Sequence, residues 1–251
     1  MLYQEDELEF VAKVKEYLKR FEKNKNIILT KFLTLREIEI IKDFFKHSNA
    51  KLVFNGGYNG AERKRCLIID EAIPVNDSMF GIACYKIDYN KRYLTLTHSN
   101  ILGTLMSLRI DRALFGDIVL TDQSVFFYST KEISTLILME FKTINGKPIS
   151  VSLTEEQLDL EIPYETKEVI VSSMRIDNLI SVVYKISRGL AVELVEKAYV
   201  NRNFQIVNSK SLICKSNDII SVRRYGRFII GEELRQTKSG KIVLAIQIPI
   251  S

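Results

Sequence analysis

The spacing of apolar residues alternates between the period of a helix and the period of a strand along this chain of 251 residues. Residues 5–21 carry apolar side chains every three or four positions, which predicts an amphipathic helix. Residues 242–248 instead alternate Ile242, Leu244, Ile246 and Ile248 with outward residues, which predicts a half-buried strand. Mixed periods predict an α+β fold, and the length exceeds the roughly 100–200 residues of one domain.

The first 74 residues are predicted to form an N-terminal α+β domain. Thr34 and Glu37 have the spacing of a capping box, in which a hydroxyl and a carboxylate satisfy the free N–H groups at a helix start. Short apolar runs at 51–54 and 66–69 predict two strands. The glycine-rich residues 55–60 between them predict a turn.

Residues 75–171 are predicted to form a second domain. Strands are expected at 82–89, 117–120, 125–128 and 161–171, and helices at 97–108 and 131–141. The order strand, helix, strand, strand, helix, strand is the split βαβ plan of the ferredoxin-like fold, which RNA-recognition motifs share. We therefore predict an RNA-recognition-motif-like domain here.

Residues 172–251 are predicted to form a third, basic domain. A short helix over 175–185 is followed by a second helix that Ser187 is placed to cap, and then by a small sheet. From Ser173 onward there are 13 Lys and Arg against 6 Asp and Glu, whereas the rest of the chain has 23 against 25. This asymmetry favours a polyanionic partner, nucleic acid before membrane, although a solubilising surface is the alternative.

Several classes of protein are excluded by composition. Three widely spaced cysteines, Cys66, Cys84 and Cys214, argue against a disulfide framework and favour a reducing compartment. With only His47 and His98 available, no Cys/His zinc pattern can be written, so neither metal nor cofactor is expected. The acidic N-terminus is unlike a signal peptide, and no apolar run approaches 18 residues. We expect a cytoplasmic protein without a membrane partner.

The basic residues of the C-terminal domain lie where helices and turns end. Arg175, Lys185, Arg188 and Arg202 are expected at helix ends or after them, and Arg223, Arg224 and Arg227 surround Tyr225. Arginine binds phosphate with two parallel hydrogen bonds, and an aromatic ring among arginines can stack on an unpaired base. One alternative is that residues Arg223–Arg227 form an exposed strand edge whose charges prevent aggregation. The other is a structural ion pair between Arg175 and Asp177.

These segments resemble the S-four domain, also called the alpha-L RNA-binding motif. The matching positions are Arg175, Asp177, Ser187, Arg188, Ala191, Val200, Asp218, Ile220 and Val222. The chain departs from the pattern at Ala198, where the family usually has glycine, and at Asn217. The resemblance implies an RNA-binding fold. The predicted RNA contacts of this domain are Arg175, Lys185, Ser187, Arg188, Asn201, Arg202, Asn203, Arg223, Arg224, Tyr225 and Arg227.

A second resemblance extends over nearly the whole chain. Residues 54–65, 96–106 and 109–118 are similar to the bacterial YlmH family. That resemblance implies binding to the large ribosomal subunit with transfer RNA, and a role in the rescue of stalled ribosomes. It also implies a bacterial origin, with the gene often near cell-division genes.

Further candidate RNA contacts lie in the first 171 residues. They are Arg63, Lys64, Arg65, His98, Arg109 and Arg112. Residues 63–65 alternate across a predicted strand, so a charged outer face is the alternative, and His98 could instead cap or pack a helix. The glycine-rich loop before them lacks the spacing of a nucleotide-binding motif.

An enzyme is the main alternative class, because S-four domains often accompany RNA-modifying domains. Asp111, between Arg109 and Arg112, faintly mimics the aspartate of a pseudouridine synthase, but it follows a leucine-rich helix rather than a strand. Neither a carboxylate pair nor a Ser/His/Asp set stands out. We predict a monomeric, non-enzymatic RNA-binding protein, with a protein-interaction adaptor as a third possibility.

Overall fold

The computed structural model of the protein describes residues 3, 7–25, 27–121, 123–155 and 164–249. The chain divides into two bodies, residues 1–160 and residues 161–251. Their elements mix helices with antiparallel sheets, as the α+β prediction requires.

The N-terminal part of the first body is a three-stranded sheet covered by two helices. Its elements are α1 (Leu8–Asn24), β1 (Ile28–Leu33), α2 (Leu35–Phe45), β2 (Ala50–Asn55) and β3 (Lys64–Asp70), with sheet order β1-β3-β2. The predicted capping box is confirmed, because Thr34 N–H donates to Glu37 at 2.6 Å and Glu37 N–H donates to Thr34 Oγ1 at 3.2 Å. Val14, Phe21 and Ile41 are among its buried core residues. Residues 5 and 6 of the predicted first helix lie outside the described residues.

The second part of this body has a four-stranded sheet. Its elements are β4 (Ile82–Asp88), α3 (His98–Ser107), β5 (Phe115–Leu120), β6 (Val125–Thr130), α4 (Ser134–Glu140), β7 (Thr143–Ile144), β8 (Lys147–Pro148) and β9 (Ser150–Thr154). The main sheet has order β5-β6-β4-β9 with every neighbour antiparallel, which is the split βαβ arrangement. Tyr85 and Phe127 stack at 4.6 Å in its core, and Phe141 meets Phe127 edge-on.

The prediction that residues 161–171 close this sheet is wrong. The closing strand is β9, and Tyr164–Val171 forms the edge strand β10 of the second body, where it pairs along its length with the last strand. Residues 161–163 lie outside the described residues. Because β10 has only Val171 buried and seven of its eight positions at least partly exposed, its sequence contains little information about its partner.

The second body places two short helices against a six-stranded sheet. Its elements are β10, α5 (Ile176–Val183), α6 (Arg188–Glu196), β11 (Val200–Arg202), β12 (Gln205–Ile206), β13 (Ile219–Val222), β14 (Gly226–Gln236) and β15 (Ile242–Pro249). The sheet order is β10-β15-β14-β13-β11-β12. Leu179, Ala191, Val200 and Phe228 are among the buried residues that join helices to sheet. Ser187 caps α6 as predicted, since it accepts a hydrogen bond from Leu190 N–H at 3.2 Å.

Both departures from the S-four pattern fall on left-handed backbone. Ala198, in the turn after α6, has φ of 56°, and Asn217, before β13, has φ of 69°. A left-handed conformation suits glycine and is tolerated by asparagine, but it strains alanine. The turn after α6 therefore keeps its geometry at a cost of about 1–2 kcal/mol, the typical penalty for a residue with a Cβ atom.

Candidate nucleic-acid interface

A buried carboxylate organises the start of both helices in the second body. Arg175 donates from Nε and Nη2 to the two oxygens of Asp177, each at 3.0 Å, and Arg188 donates from Nε to Asp177 Oδ2 at 3.1 Å. The Asp177 side chain is 2% exposed, whereas the side chains of Arg175 and Arg188 are 34% and 55% exposed. Asp177 thus holds both guanidinium groups while part of each arginine side chain stays exposed.

The ionisation of Asp177 follows from these contacts. Burial alone raises the pKa of this carboxyl, but the hydrogen bonds and positive charges of Arg175 and Arg188 outweigh burial and hold the pKa below its usual range. Asp177 is therefore ionised at neutral pH. The sequence left a structural Arg175–Asp177 pair open, and the structure shows that pair with Arg188 as a second partner.

The turn between α5 and α6 places polar groups beside this cluster. Lys185 is exposed and has φ of 53°, and the turn is closed by a hydrogen bond from Ser181 Oγ to Ile186 O at 2.7 Å. The next residues, Ser187 and Arg188, are exposed at the start of α6. A helix start carries free N–H groups and a partial positive charge, so this turn is suited to an anion.

A second basic segment lies at the turn between β13 and β14. Val222 pairs with Gly226 across this turn, and Arg223, Arg224 and Tyr225 are exposed at its tip. Arg224 takes φ of 72°, which turns the chain sharply. Arg227, the first residue after the pair, is half-buried.

Aromatic contacts join the two turns into one surface. The ring of Tyr225, 39% exposed, lies 5.3 Å from the ring of Tyr184, which ends α5 and precedes Lys185. Tyr184 also meets the buried Phe228 edge-on at 5.7 Å, and its burial raises the pKa of its hydroxyl. We call Lys185, Ser187, Arg188 and residues 223–225 the basic face.

A shallow groove lies on the other side of the β13–β14 turn. It is lined by residues that include Lys197, Tyr199, Asn201, Ser221 and Arg223. The guanidinium of Arg223 lies 4.9 Å from the centre of the Tyr199 ring, and its backbone N–H donates to Tyr199 O at 2.9 Å. Asn201 and Arg223, which were both predicted to contact RNA, thus line the same groove. Neither Lys197 nor Tyr199 was predicted, because both follow the motif segment and no turn signal marks them.

Arg202 and Asn203 serve the fold of the second body. Asn203 donates to Asp218 Oδ1 at 2.7 Å and accepts from Ile219 N–H at 2.8 Å. Arg202 donates to Ile213 O at 3.2 Å and lies 3.8 Å from Asp218. Asn203 therefore uses both ends of its amide within the fold, and its predicted RNA contact stays a prediction. Arg202, with a side chain 32% exposed, keeps part of its surface.

The three consecutive basic residues of the first body differ in exposure. Arg65 is buried, at 5% exposed, and donates to the carbonyls of Thr30 at 2.8 Å and Phe80 at 2.7 Å. Burial lowers the pKa of Arg65. Its guanidinium binds carbonyls in the interior, which corrects the expectation that Arg65 contacts RNA. Lys64 is half-buried at the start of β3.

Arg63 and Arg112 also bind backbone carbonyls. Arg63 donates to Phe115 O at 3.0 Å and to Phe32 O at 3.2 Å, and Arg112 donates to Phe115 O at 2.7 Å. Burial lowers the pKa of both groups, and for Arg112, where the charge of Arg63 adds to the effect, the value falls to about 10. Arg63 thereby joins β5 to β1 of the N-terminal sheet, whereas Arg112 binds the nearby carbonyls at the start of β5, so packing accounts for most of their donors.

His98 and Arg109 lie at opposite ends of α3. His98 is the first residue of the helix, while the capping is done by Thr97 and Asn100, so the alternative of a capping His98 is wrong. Partial desolvation lowers the pKa of His98, and the charge of Arg112 lowers it further, so the ring is neutral at pH 7. Arg109 is exposed after the helix, with φ of 58°.

The outer face of the ferredoxin-like sheet is covered at its central strand. Tyr128 on β6 is 1% exposed, and the ring of Tyr58 stacks on it with centroids 5.0 Å apart and planes 22° apart. Gly57 permits this approach, since a Cβ atom there would lie 2.6 Å from the Tyr128 ring. RNA-recognition motifs stack bases on aromatic rings of this face. In this chain Tyr58 takes that position, so Tyr128 is not available as such a platform.

Asp117 is the residue that holds this loop, and sequence reasoning missed it. Its carboxylate accepts hydrogen bonds from Tyr58 Oη at 3.0 Å, Glu62 N–H at 2.7 Å and Arg63 N–H at 3.2 Å. Burial, and then the negative charge of Asp117, raises the pKa of Tyr58. The only signal in the sequence was an acidic residue within an otherwise apolar predicted strand.

Among the residues that the structure describes, no group of three His, Cys, Asp or Glu side chains could hold a metal ion. In the same residues, no helix is both long and apolar enough to span a bilayer.

The two bodies define a class of protein: an α+β chain with a ferredoxin-like sheet and a C-terminal two-helix module that carries a basic face. Sequence models identify its relatives. The model of the N-terminal domain of YlmH matches residues 6–73, and the model of an RNA-binding domain in YlmH matches residues 75–159. The chain belongs to the YlmH family.

Two relatives extend this match. The chain is 30% identical over 243 residues to "Ribosome-associated protein quality control protein P2" of Bacillus subtilis, which covers 95% of this chain and 94% of that protein. It also resembles the solved structure of "Cell division protein ylmH from Streptococcus pneumoniae", with a TM-score of 0.53 and 25% identity, over 61% of this chain and 94% of the other.

Proposed function

We propose that this protein is a non-enzymatic RNA-binding protein of the cytoplasm that acts as a monomer on the large ribosomal subunit. There it would contact ribosomal RNA and transfer RNA, in the rescue of stalled ribosomes. The observation that carries the proposal is the basic face, where the turn with Lys185 and Arg188 and the turn with Arg223 and Arg224 are joined by the contact of Tyr184 with the exposed Tyr225. Charged forks with an aromatic ring among them suit phosphates and an unpaired base.

The family supports the ribosomal part of the proposal. The Bacillus subtilis relative is named for ribosome-associated quality control, and it matches nearly the whole length of this chain. An RNA-binding domain is described for the family over the region that corresponds to residues 75–159. The basic face would bind folded RNA. The first body would add contacts through exposed groups such as Arg109, or it would act as a spacer.

The environment of Asp111 favours a binding protein over a pseudouridine synthase. Its carboxylate pairs with Lys31 at 2.7 Å and accepts from Ala113 N–H at 2.9 Å, which starts the short helical turn at Arg112–Leu114. These contacts give Asp111 a structural role in joining β1 to that turn. Its ion pair with Lys31 also lowers its pKa, which suits a permanently ionised structural carboxylate.

A pair of charge-removing substitutions tests the proposal. Arg188→Gln with Arg224→Gln removes one cation from each turn of the basic face and leaves a polar side chain in its place. The log of affinity for large ribosomal subunits falls with the log of salt by roughly 0.7–0.9 per phosphate contact. The double variant should therefore lower that slope by about 1.4–1.8 and bind more weakly.

The matched control is Lys238→Gln. Lys238 lies in the turn between β14 and β15, at the far end of an 11-residue strand from Arg224, which is about 33 Å at the rise of a strand. This control should bind like the natural protein. An unchanged affinity and salt slope in a folded double variant would contradict the proposed basic face.

A further inference from the structure

A cavity of about 690 Å³ opens in the first body beside the covered sheet face. Its volume lies within the roughly 300–1,000 Å³ of small-molecule sites. It is bounded by the start of β4, the end of β9 and the glycine-rich loop, with Asn55, Asp77, Ile82, Cys84, Tyr128 and Leu153 among its lining residues. None of the basic face lies in it.

Part of the cavity lining is apolar. Ile82 and Leu153 lie on the neighbouring strands β4 and β9, and Leu153 is 54% exposed. Tyr128 on β6 also lines the cavity, and the ring of Tyr58 stacks on it. A ligand that removes this apolar surface from water gains free energy.

The cavity lining also includes a hydrogen-bonded polar pair, Asn55 and Asp77. Asn55 donates from its amide to Asp77 Oδ1 at 2.8 Å, and Asn55 Oδ1 accepts from Gly57 N–H at 2.7 Å, so both side chains are oriented. Within the described residues, Asp77 Oδ2 accepts no hydrogen bond. Because each carboxylate oxygen can accept two hydrogen bonds, Oδ1 can accept a second one beside Oδ2, and the carboxylate suits a ligand that presents two N–H donors along one edge.

The charges around the cavity decide which ligand edge fits. Asp77 and Glu155 are acidic, and Lys131 is the one basic residue among the lining positions that the structure describes. This excess of negative charge disfavours a phosphate or a free nucleotide inside the cavity. It favours a neutral planar group with N–H donors, which is the chemistry of a nucleobase.

We propose that this cavity binds one unpaired nucleobase, guanine before the others. Guanine alone among the four RNA bases carries a ring N–H and an amino group side by side, and the two can meet one carboxylate with parallel hydrogen bonds. Adenine and cytosine offer an amino group beside a ring acceptor, and uracil offers a ring N–H between two carbonyls. The base enters from RNA that the protein binds, so this inference rests on the proposed function. The phosphate of that nucleotide stays outside the cavity, near Lys131.

Cys84 gives a direct readout of occupancy, because it is the half-exposed thiol of the three and lines the cavity. Burial raises the pKa of Cys66 and Cys214 to about 12, so their reactive thiolates are scarce at pH 8. Alkylation of Cys84 by iodoacetamide can therefore be followed by peptide mass spectrometry. Guanosine at ten times its Kd should slow that reaction about 11-fold by mass action, and uridine at the same concentration should not.

Paired substitutions assign the protection to Asp77. Asp77→Asn keeps the shape but turns an acceptor into a donor, so the Kd for guanosine should rise roughly 10- to 100-fold, the loss expected for hydrogen bonds to a charged group. The same guanosine concentration should then slow alkylation by about twofold or less. Asp88→Asn, at the exposed far end of β4, should leave protection unchanged. Equal protection by guanosine and uridine, no protection by either, or full protection in Asp77→Asn would each overturn the proposal.

RNA separates this inference from the proposed function. A hairpin with one unpaired guanine in its loop should protect Cys84 more than the same hairpin with uracil there. If both hairpins bind equally and neither protects Cys84, RNA binding stands and the base site is refuted. If no RNA binds but guanosine still protects Cys84, the base site stands as a nucleoside site and the proposed function fails.

Discussion

Replacing Asp177 by asparagine should loosen the second body and displace the basic face together. The carboxylate accepts three hydrogen bonds from Arg175 and Arg188, and a fourth from Asn178 N–H at 2.9 Å. An amide of the same shape keeps one acceptor and turns an N–H group toward two guanidinium groups. The change therefore removes charge and directionality with little change in volume.

The size of this effect follows from the exposure of the three side chains. Breaking a buried ion pair destabilises a protein by roughly 3–5 kcal/mol. Here only Asp177 is buried, and both arginines can recover water because their side chains are 34% and 55% exposed. We therefore expect about 2 kcal/mol, which corresponds to a roughly 30-fold change in the opening equilibrium.

Amide hydrogen exchange over β13, β14 and β15 measures this opening in the second body alone. Asp177→Asn should exchange roughly 30-fold faster there, and exchange in β4 and β6 should be unchanged. Glu196→Gln, which removes a surface pair with Lys210 at 3.3 Å, is the matched control and should change exchange less than threefold. Exchange in Asp177→Asn that matches the natural protein would refute the organising role of the carboxylate.

Three further predictions follow from particular residues. Ala198→Gly should raise the free energy of unfolding of the second body by about 1 kcal/mol, because glycine relieves the left-handed strain. Urea denaturation measures this change, and a lowered midpoint would contradict the prediction. Arg65→Met should destabilise the first body by about 2 kcal/mol in the same assay, since buried carbonyls lose their donors, while subunit affinity stays unchanged. The pKa of Asp177 is lower in the folded protein than the value of about 3.9 in the unfolded chain. The stability that Asp177 contributes is therefore complete at pH values above the unfolded pKa, and it is lost as the pH falls through the folded pKa. Exchange measured down to pH 3 should show this loss in the natural protein and a smaller one in Asp177→Asn.

Local signals in the sequence were sufficient to place many elements. The Thr34–Glu37 capping box and the Ser187 cap were predicted from a few adjacent residues, because each depends on hydrogen bonds within one turn. The split βαβ order was predicted from alternating periods, and the sheet order confirms it with β9 as the closing strand in place of residues 161–171. Arg223, Arg224 and Arg227 were predicted to cluster around Tyr225, but no turn was predicted there, and the structure exposes residues 223–225 at a hairpin tip.

Features that depend on long-range packing could not be predicted in the same way. The partner of β10 is β15, more than seventy residues later, and the exposed side chains of β10 give no preference for one sheet. Arg65 and Lys64 have similar chemistry, but only tertiary packing places one inside against Thr30 and Phe80. The stacking of Tyr58 on Tyr128 joins residues 70 positions apart and has no local signal.

Binding of the purified protein to isolated large ribosomal subunits, with and without transfer RNA and across a salt series, tests the central claim most directly. We predict binding that weakens steeply with salt, that transfer RNA strengthens, and that is lost when the second body, residues 161–251, is deleted. Binding that is insensitive to salt, or that survives this deletion, would contradict the account and favour a protein-interaction adaptor. If the protein binds neither large subunits nor transfer RNA, the account is contradicted as well, and an enzyme that acts on free RNA is favoured.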